Sequence, residues 1–227
     1  MQEKRNALGN GILEQSVLVY TRQVGRPVCL QEIPCGSFFY GLDYYSFLEL
    51  KQEAPLSDTI DDRVFFVLGS AAPALDAREA RMRLRGLIGN TEKRFGPQYD
   101  KGHFIARTIG GGTEVNIFPQ RRDLNRGWSI EGRLFRSMEQ YCQDHPGTLC
   151  FNRPIYLDES MRPAAFDFGL LKEDGELWVA QFDNQEIPVD GGLFQNRILP
   201  GKELNEWRAS LSKRDSSRIE EETDVHL

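Results

Sequence analysis

The stretch "YDKGHFIARTIGGGTEVNIFPQRRDLNRG", residues 99–127, decides the fold. It sets one histidine after an acid-base pair, follows it with a short apolar run and three glycines, and then places Asn116 and Asn125 among arginines. "GHFIA" and "VNIFPQ" have the composition of two short strands, Gly110, Gly111 and Gly112 supply a tight return between them, and "DLNRG" opens a helix. Such a strand-turn-strand-helix unit would bring His103 opposite Asn125 across a small cleft. A neutral imidazole can take a proton from water near neutral pH, and an asparagine amide oxygen is a hard, neutral ligand suited to Mg²⁺. One base and one metal suffice to hydrolyse a phosphodiester.

Outward from this unit, the sequence predicts an α+β fold with helices packed on an antiparallel sheet. The first third reads as β-rich: residues 16–21 ("SVLVYT"), 27–33 ("PVCLQEI") and 37–50 ("SFFYGLDYYSFLEL") carry β-branched and aromatic residues broken by Gly or Pro. Residues 62–69 ("DRVFFVLG") have the apolar run of a buried central strand. The period then changes: residues 75–87 read as a short basic helix with Asp76 as its N-cap, and residues 89–98 as a loop. After the quoted stretch, Leu134, Phe135, Met138 and Tyr141 fall on one face of a helix that Pro146-Gly147 ends. Residues 148–158, 164–171 and 177–184 read as three strands, and Trp128 is expected in the core. The folded unit is expected to span residues 1–201, leaving residues 202–227 as a polar, flexible tail.

The totals fit one soluble globular unit: 227 residues, with no apolar run near the ~20 residues of a membrane helix. Residues 1–14 lack the apolar stretch of a signal peptide. The expectation is therefore synthesis in the cytoplasm, with any export left to a specialised secretion system. Cys29 and Cys35 stand six positions apart, and Cys142 and Cys150 eight, so neither pair has the spacing of a zinc knuckle; free thiols or one disulfide remain open. Net charge is −6, yet between Arg78 and Arg136 there are 13 Lys/Arg against 6 Asp/Glu. Polyanion binding responds to the local field within a Debye length of about 8 Å, so an acidic protein can carry a basic nucleic-acid surface.

These residues resemble the DNA/RNA non-specific endonucleases of the ββα-metal (His-Me finger) superfamily. Asp100-Lys101-Gly102-His103 stands where that family has Asp-Arg-Gly-His, and Asn116-Ile117-Phe118-Pro119-Gln120 matches its second strand. Asn125 follows Asn116 by nine positions, and Trp128 comes next. The close likeness covers roughly residues 99–139, within a ββα-metal core of about 99–142. It implies His103 as general base, Asn125 as the Mg²⁺ ligand, with Mn²⁺ as a second ion the site would accept, and Asn116 as the residue that holds the site together. Lys101 replaces the family's Arg, keeping charge but not the bidentate fork. The family's helix Glu, which orients water at the metal, has two counterparts: Glu131, six positions past Asn125, and Glu139, fourteen past it. An unbroken helix would put Glu139 ~21 Å from Asn125, so Glu131 is the nearer candidate unless residues 127–132 loop out.

Each of these residues has a plainer alternative. Asn125 can serve as a helix N-cap, the glycines as turn rather than phosphate cradle, and Arg107, Arg121, Arg122 and Arg126 as solvated side chains rather than nucleic-acid contacts. No recognition helix, finger or aromatic stacking motif stands out, which points to contacts with phosphate and sugar rather than base edges. The function expected is Mg²⁺-dependent, non-specific hydrolysis of DNA and RNA, with no membrane partner. Such an enzyme suits a bacterial toxin or effector held in check by an inhibitor protein. The rival is a nucleic-acid-binding module that retains the fold without turnover.

Overall fold

The structure, a computed structural model, describes residues 2–74, 91–112 and 114–185. Its elements in chain order are α1 (Gln2–Val24), β1 (Leu30–Cys35), β2 (Phe38–Asp43), α2 (Tyr45–Leu50), β3 (Arg63–Ser70), α3 (Thr91–Phe95), β4 (Tyr99–His103), β5 (Ile117–Arg121), α4 (Arg122–Asn125), α5 (Ile130–Asp144), β6 (Leu149–Ile155), β7 (Ala165–Leu171) and β8 (Leu177–Asp183). Six strands form one antiparallel sheet in the order β1-β2-β3-β6-β7-β8, and β4 and β5 pair as a separate ribbon. This is the α+β arrangement the sequence predicts, and β3 takes the central place expected of residues 62–69.

The sheet sorts its apolar residues onto two sides. Phe166, Phe168 and Leu170 of β7 alternate along the strand, and all three are fully buried in the larger core with Phe104, Phe118, Phe135 and Phe182. Phe135 of α5 meets Phe166, Phe168 and Phe182 edge-on, with ring centroids 5.5, 5.4 and 5.1 Å away. A second core holds Ile12 and Tyr20 of α1 against Phe65, Phe66 and Phe151. Adjacent residues Phe65 and Phe66 share that side because the β2–β3 register slips between Gly41 and Leu42. A Cβ at position 41 would lie 2.6 Å from the Phe65 ring, so glycine there makes room for it.

Several local expectations fail. Residues 16–21 are helical, part of α1, although they are β-branched and aromatic. Gly9, Ile12, Ser16 and Tyr20 recur at three- and four-residue intervals and are buried, so packing of that face on the sheet overrides local strand preference. The Tyr20 hydroxyl donates to Asp43 at 2.7 Å, which fixes the helix to β2. Residues 37–50 divide into a strand and a helix: Asp62 receives the Ser46 amide and hydroxyl at 2.8 and 2.7 Å, satisfying the start of α2. Within 89–98, expected as loop, Thr91–Phe95 forms a helical turn. The basic helix expected at 75–87 and the tail at 202–227 lie outside the described residues.

The Phe135 cluster yields a stability prediction. Phe135→Ala should cost about 3–5 kcal/mol in urea unfolding. A loss below about 1 kcal/mol would mean that α5 does not dock on the sheet as described.

Candidate active site

A two-stranded ribbon is marginal by itself and needs support from the rest of the fold. The β4–β5 ribbon pairs five residues, from Tyr99 opposite Arg121 to His103 opposite Ile117. The Gln120 side chain lies over Gly102, where a Cβ would come within 2.1 Å of Gln120 Oε1, so the glycine before His103 is required by packing. By strand alternation Lys101 and His103 share one face of the ribbon, and Asp100 and Gly102 the other. Phe104, just past the strand, stacks on Phe118 at 4.3 Å, anchoring that second face in the large core.

The connection between the strands is not the tight return expected of three glycines. It runs over residues 104–116 and contains short 3-10 turns at Arg107–Ile109 and Glu114–Asn116. Asn116, fully buried, organises it. Its Oδ1 accepts the Ile105 amide at 2.9 Å, its Nδ2 donates to the Ile105 and Gly112 carbonyls at 2.8 and 2.9 Å, and its own carbonyl accepts the Phe104 amide at 2.9 Å. Gly111 is needed here, since a Cβ would meet the Ile105 carbonyl at 2.0 Å. Gly112 donates its amide to the Tyr40 hydroxyl at 3.1 Å, tying the loop to β2.

His103 closes β4 half-buried. Burial first, and then the nearby charge of Arg107, hold its pKa below the ordinary imidazole value. The ring is therefore neutral, and able to accept a proton, over more of the physiological range than a free histidine. Lys101 and Arg107 are exposed and make no ion pair among the described residues.

Beyond β5 the chain does not run on as one unbroken helix. The one-turn helix α4 carries Asn125 as its last residue, residues 126–129 turn, and α5 starts afresh under a Ser129 cap whose side chain accepts the Gly132 amide at 2.9 Å. Ser129, not Asn125, caps α5. The Asn125 carbonyl accepts Arg136 Nη2 at 2.9 Å, while its side-chain amide has no hydrogen-bond partner among the described residues. α4, the one-turn helix that ends at Asn125, contacts both strands of the ribbon that carries His103.

The arginines divide into tied and free. Asp100 accepts Arg122 Nε at 3.0 Å and Arg126 Nε at 2.6 Å, locking α4 onto β4. Burial opposes ionisation of Asp100, but the hydrogen bonds from Arg126 and Arg122 outweigh it and keep the carboxyl below its ordinary value. Arg121 is buried and bonds Asp123 at 2.6 Å and Glu131 at 2.5 Å, so its guanidinium is a structural tie and not an exposed contact. Glu131 is thereby held against the end of β5. Glu139 is half-buried with no ion pair among the described residues, and burial, offset in part by Arg136, pushes its pKa up to about 7. Trp128, expected in the core, is 61% exposed.

Two buried asparagines escaped the sequence reading. Asn152 of β6 donates to the Phe104 carbonyl at 2.9 Å, directly behind His103. Asn184, after β8, accepts the Arg121 amide at 2.7 Å and donates to the Pro119 and Pro163 carbonyls at 2.8 Å each. Both tie the ribbon to the main sheet. Asn152 did leave a signal, a polar amide inside an apolar strand run where Asn is disfavoured.

Among the described residues no group of three or more His, Cys, Asp or Glu could hold a metal, and all four cysteines are free thiols. A single amide-oxygen ligand still fits Mg²⁺, which keeps most of its own water. No helix among the described residues is long and apolar enough to cross a membrane.

Neither a protein-family model nor a curated protein sequence matches the chain. Among solved structures, a chain from the EndoG/EndoGI complex, described in terms of EndoG inhibition, is similar at 14% identity and a TM-score of 0.45, covering 81% of this chain and 86% of that one. The Sda1 nuclease with bound zinc ion is similar at 17% identity and a TM-score of 0.34, covering 78% and 87%.

Asn116→Ala would leave three buried backbone groups unpaired, so a stability loss of about 2–4 kcal/mol is expected in urea unfolding. Asn116→Asp, which keeps the acceptor but turns a buried carboxylate onto the Ile105 and Gly112 carbonyls, should cost at least as much. Equal stability of all three proteins would remove Asn116 as the organiser of the 104–116 loop.

Proposed function

We propose that the chain is a divalent-metal-dependent endonuclease that hydrolyses DNA and RNA without sequence preference. The observation that supports it most is the order and pairing of the ββα unit: His103 closing β4, the Asn116-held loop behind it, and Asn125 on a helix that touches both strands.

In this reading neutral His103 takes a proton from a water molecule as its oxygen bonds to phosphorus, and the phosphorus–O3′ bond breaks on the far side. Asn125 would hold Mg²⁺, or Mn²⁺ in its place, which supplies positive charge against the developing oxyanions. Lys101, on the His103 face of the ribbon, and Arg107 are exposed to meet phosphate oxygens. Glu131, fixed by Arg121, would orient water held at the metal, with Glu139 as the alternative acid. Arg122 and Arg126 reach nucleic acid only with the flank of side chains already bonded to Asp100. Contacts that avoid base edges give no sequence preference. Indiscriminate cutting endangers the cell that makes the enzyme, so the reading extends to a toxin or effector paired with an inhibitor protein and delivered by a specialised system.

Plasmid and RNA degradation with Mg²⁺, and with EDTA, tests this directly. Wild type should cut only with the metal, and His103→Ala should lower kcat by about 10²–10⁴-fold. Binding without cutting in both proteins would instead mark a nucleic-acid-binding module. Glu131→Gln should lower kcat more than Glu139→Gln; the reverse order would move the acid role to Glu139.

The pH profile carries a further check. Protonation of His103 removes the base, and its pKa is depressed, so activity should persist below the ordinary imidazole pKa of about 6.5 and fall only at lower pH. Arg107→Ala removes one of the two causes of that depression, so the acid limb should move to higher pH. An unmoved or lowered limb would show that His103 is not the titrating base.

A further inference from the structure

Trp128 is the residue whose placement the nuclease reading does not use. The residue is 61% exposed, although tryptophan normally buries most of its large apolar surface. The backbone beneath it is pinned on both sides: the Trp128 amide donates to the Asp123 carbonyl at 2.8 Å, and its carbonyl accepts Arg133 Nη1 at 3.0 Å. Arg126 lies over the ring, guanidinium carbon to centroid 5.0 Å, and is itself fixed by Asp100. Exposed Arg133 and Arg136, from the first two turns of α5, reach back to the carbonyls of Trp128 and Asn125 and make no ion pair among the described residues. The result is a rigid aromatic plate, three residues from Asn125, ringed by cations.

We propose that Trp128 is a stacking platform for an unpaired nucleobase, with Arg133 and Arg136 meeting the phosphates that flank it. The proposal rests on the nuclease reading and deepens it by naming a substrate preference. A base buried in a duplex has no free face to offer, whereas every unpaired base has one, so single strands and frayed or looped sites gain from the platform and intact duplex does not. Charge complementarity selects this occupant: a neutral apolar partner would gain nothing from the arginine collar, and a polyanion would. The identity of the base does not matter to a flat ring, which keeps the enzyme non-specific.

The test is fluorescence-anisotropy binding in EDTA, using full-length wild type, Trp128→Ala and Trp128→Phe. Three probes share one length: labelled single-stranded oligothymidylate, a backbone of abasic sites, and a duplex. Trp128→Ala should weaken oligothymidylate binding by roughly 5- to 100-fold, the range of base–aromatic stacking, and leave the abasic backbone and duplex unchanged. Trp128→Phe should retain most of the affinity. Equal binding of oligothymidylate by wild type and Trp128→Ala, an equal loss on all three probes, or no binding by wild type would each overturn the platform. Plasmid cutting with Mg²⁺ is measured in parallel. Cutting that persists while the platform fails leaves the nuclease reading standing, whereas wild type that neither cuts nor binds removes both.

Discussion

The position of His103 depends on amide side chains buried where hydrocarbon would be expected. The β4–β5 ribbon is only five pairs long and is not hydrogen-bonded to the main sheet as a further strand. A phenylalanine core gives it something to lie on, but apolar contact is non-directional and does not fix register or angle. Asn116, Asn152 and Asn184 supply the direction. Each is fully buried, and together they bind backbone atoms of residues 104, 105, 112, 119, 121 and 163. Because an unmade hydrogen bond in the core is expensive, these contacts restrict the ribbon far more tightly than packing alone. Such a constraint is useful where a base must sit at a defined distance from a reacting phosphorus.

Electrostatics in the same region follow a comparable division of labour. Five arginines between residues 121 and 136 would repel one another if all were free. Arg121, Arg122 and Arg126 are instead turned onto Asp100, Asp123 and Glu131, and these pairs join β4, β5, α4 and α5. Arg133 and Arg136, with Lys101 and Arg107, keep their charge outward. These four side chains give a local excess of positive charge on a chain whose net charge is −6. The same outward charge at Arg107 helps keep His103 neutral, so under the proposed function attraction of substrate and preparation of the base would have a shared source.

What the sequence disclosed and what it hid divide along physical lines. β3 and β6 to β8 were legible because a buried strand needs a run of β-branched and aromatic residues. The buried face of α5 was legible from 3.6-residue spacing: Phe135 and Met138 lie inside, Leu134 and Tyr141 are half-buried against the same core, and Cys142 joins them unforeseen. The ribbon was legible because Gly102, Asn116 and Pro119-Gln120 each answer a local requirement. α1 was not: its strand-like composition was outvoted by an amphipathic spacing that becomes decisive only once the sheet provides a partner. Nor were the pairings of Asp100 and Arg121, since which arginine is tied and which is free depends on contacts up to 26 residues away. Asn184 was invisible for the same reason, because its partners lie 21 to 65 positions distant.

The break between α4 and α5 joins several of these features. Gly127 has φ of 70°, a conformation glycine adopts without penalty, and it stops α4 after one turn. Gly132 then lets the new helix press onto the end of the old one, for a Cβ there would come within 2.8 Å of the Asp123 and Leu124 carbonyls. Two glycines thus set the angle at which α5 leaves, while the Ser129 cap sets where it starts. A continuous helix would carry Glu131 and Glu139 steadily away from Asn125 at about 1.5 Å per residue. The break instead returns Glu131 to Arg121 at the end of β5 and turns Trp128 outward on the crest of the bend. An exposed aromatic ring and an anchored acid therefore have one origin, a four-residue interruption at 126–129 that helix propensity alone would not have placed.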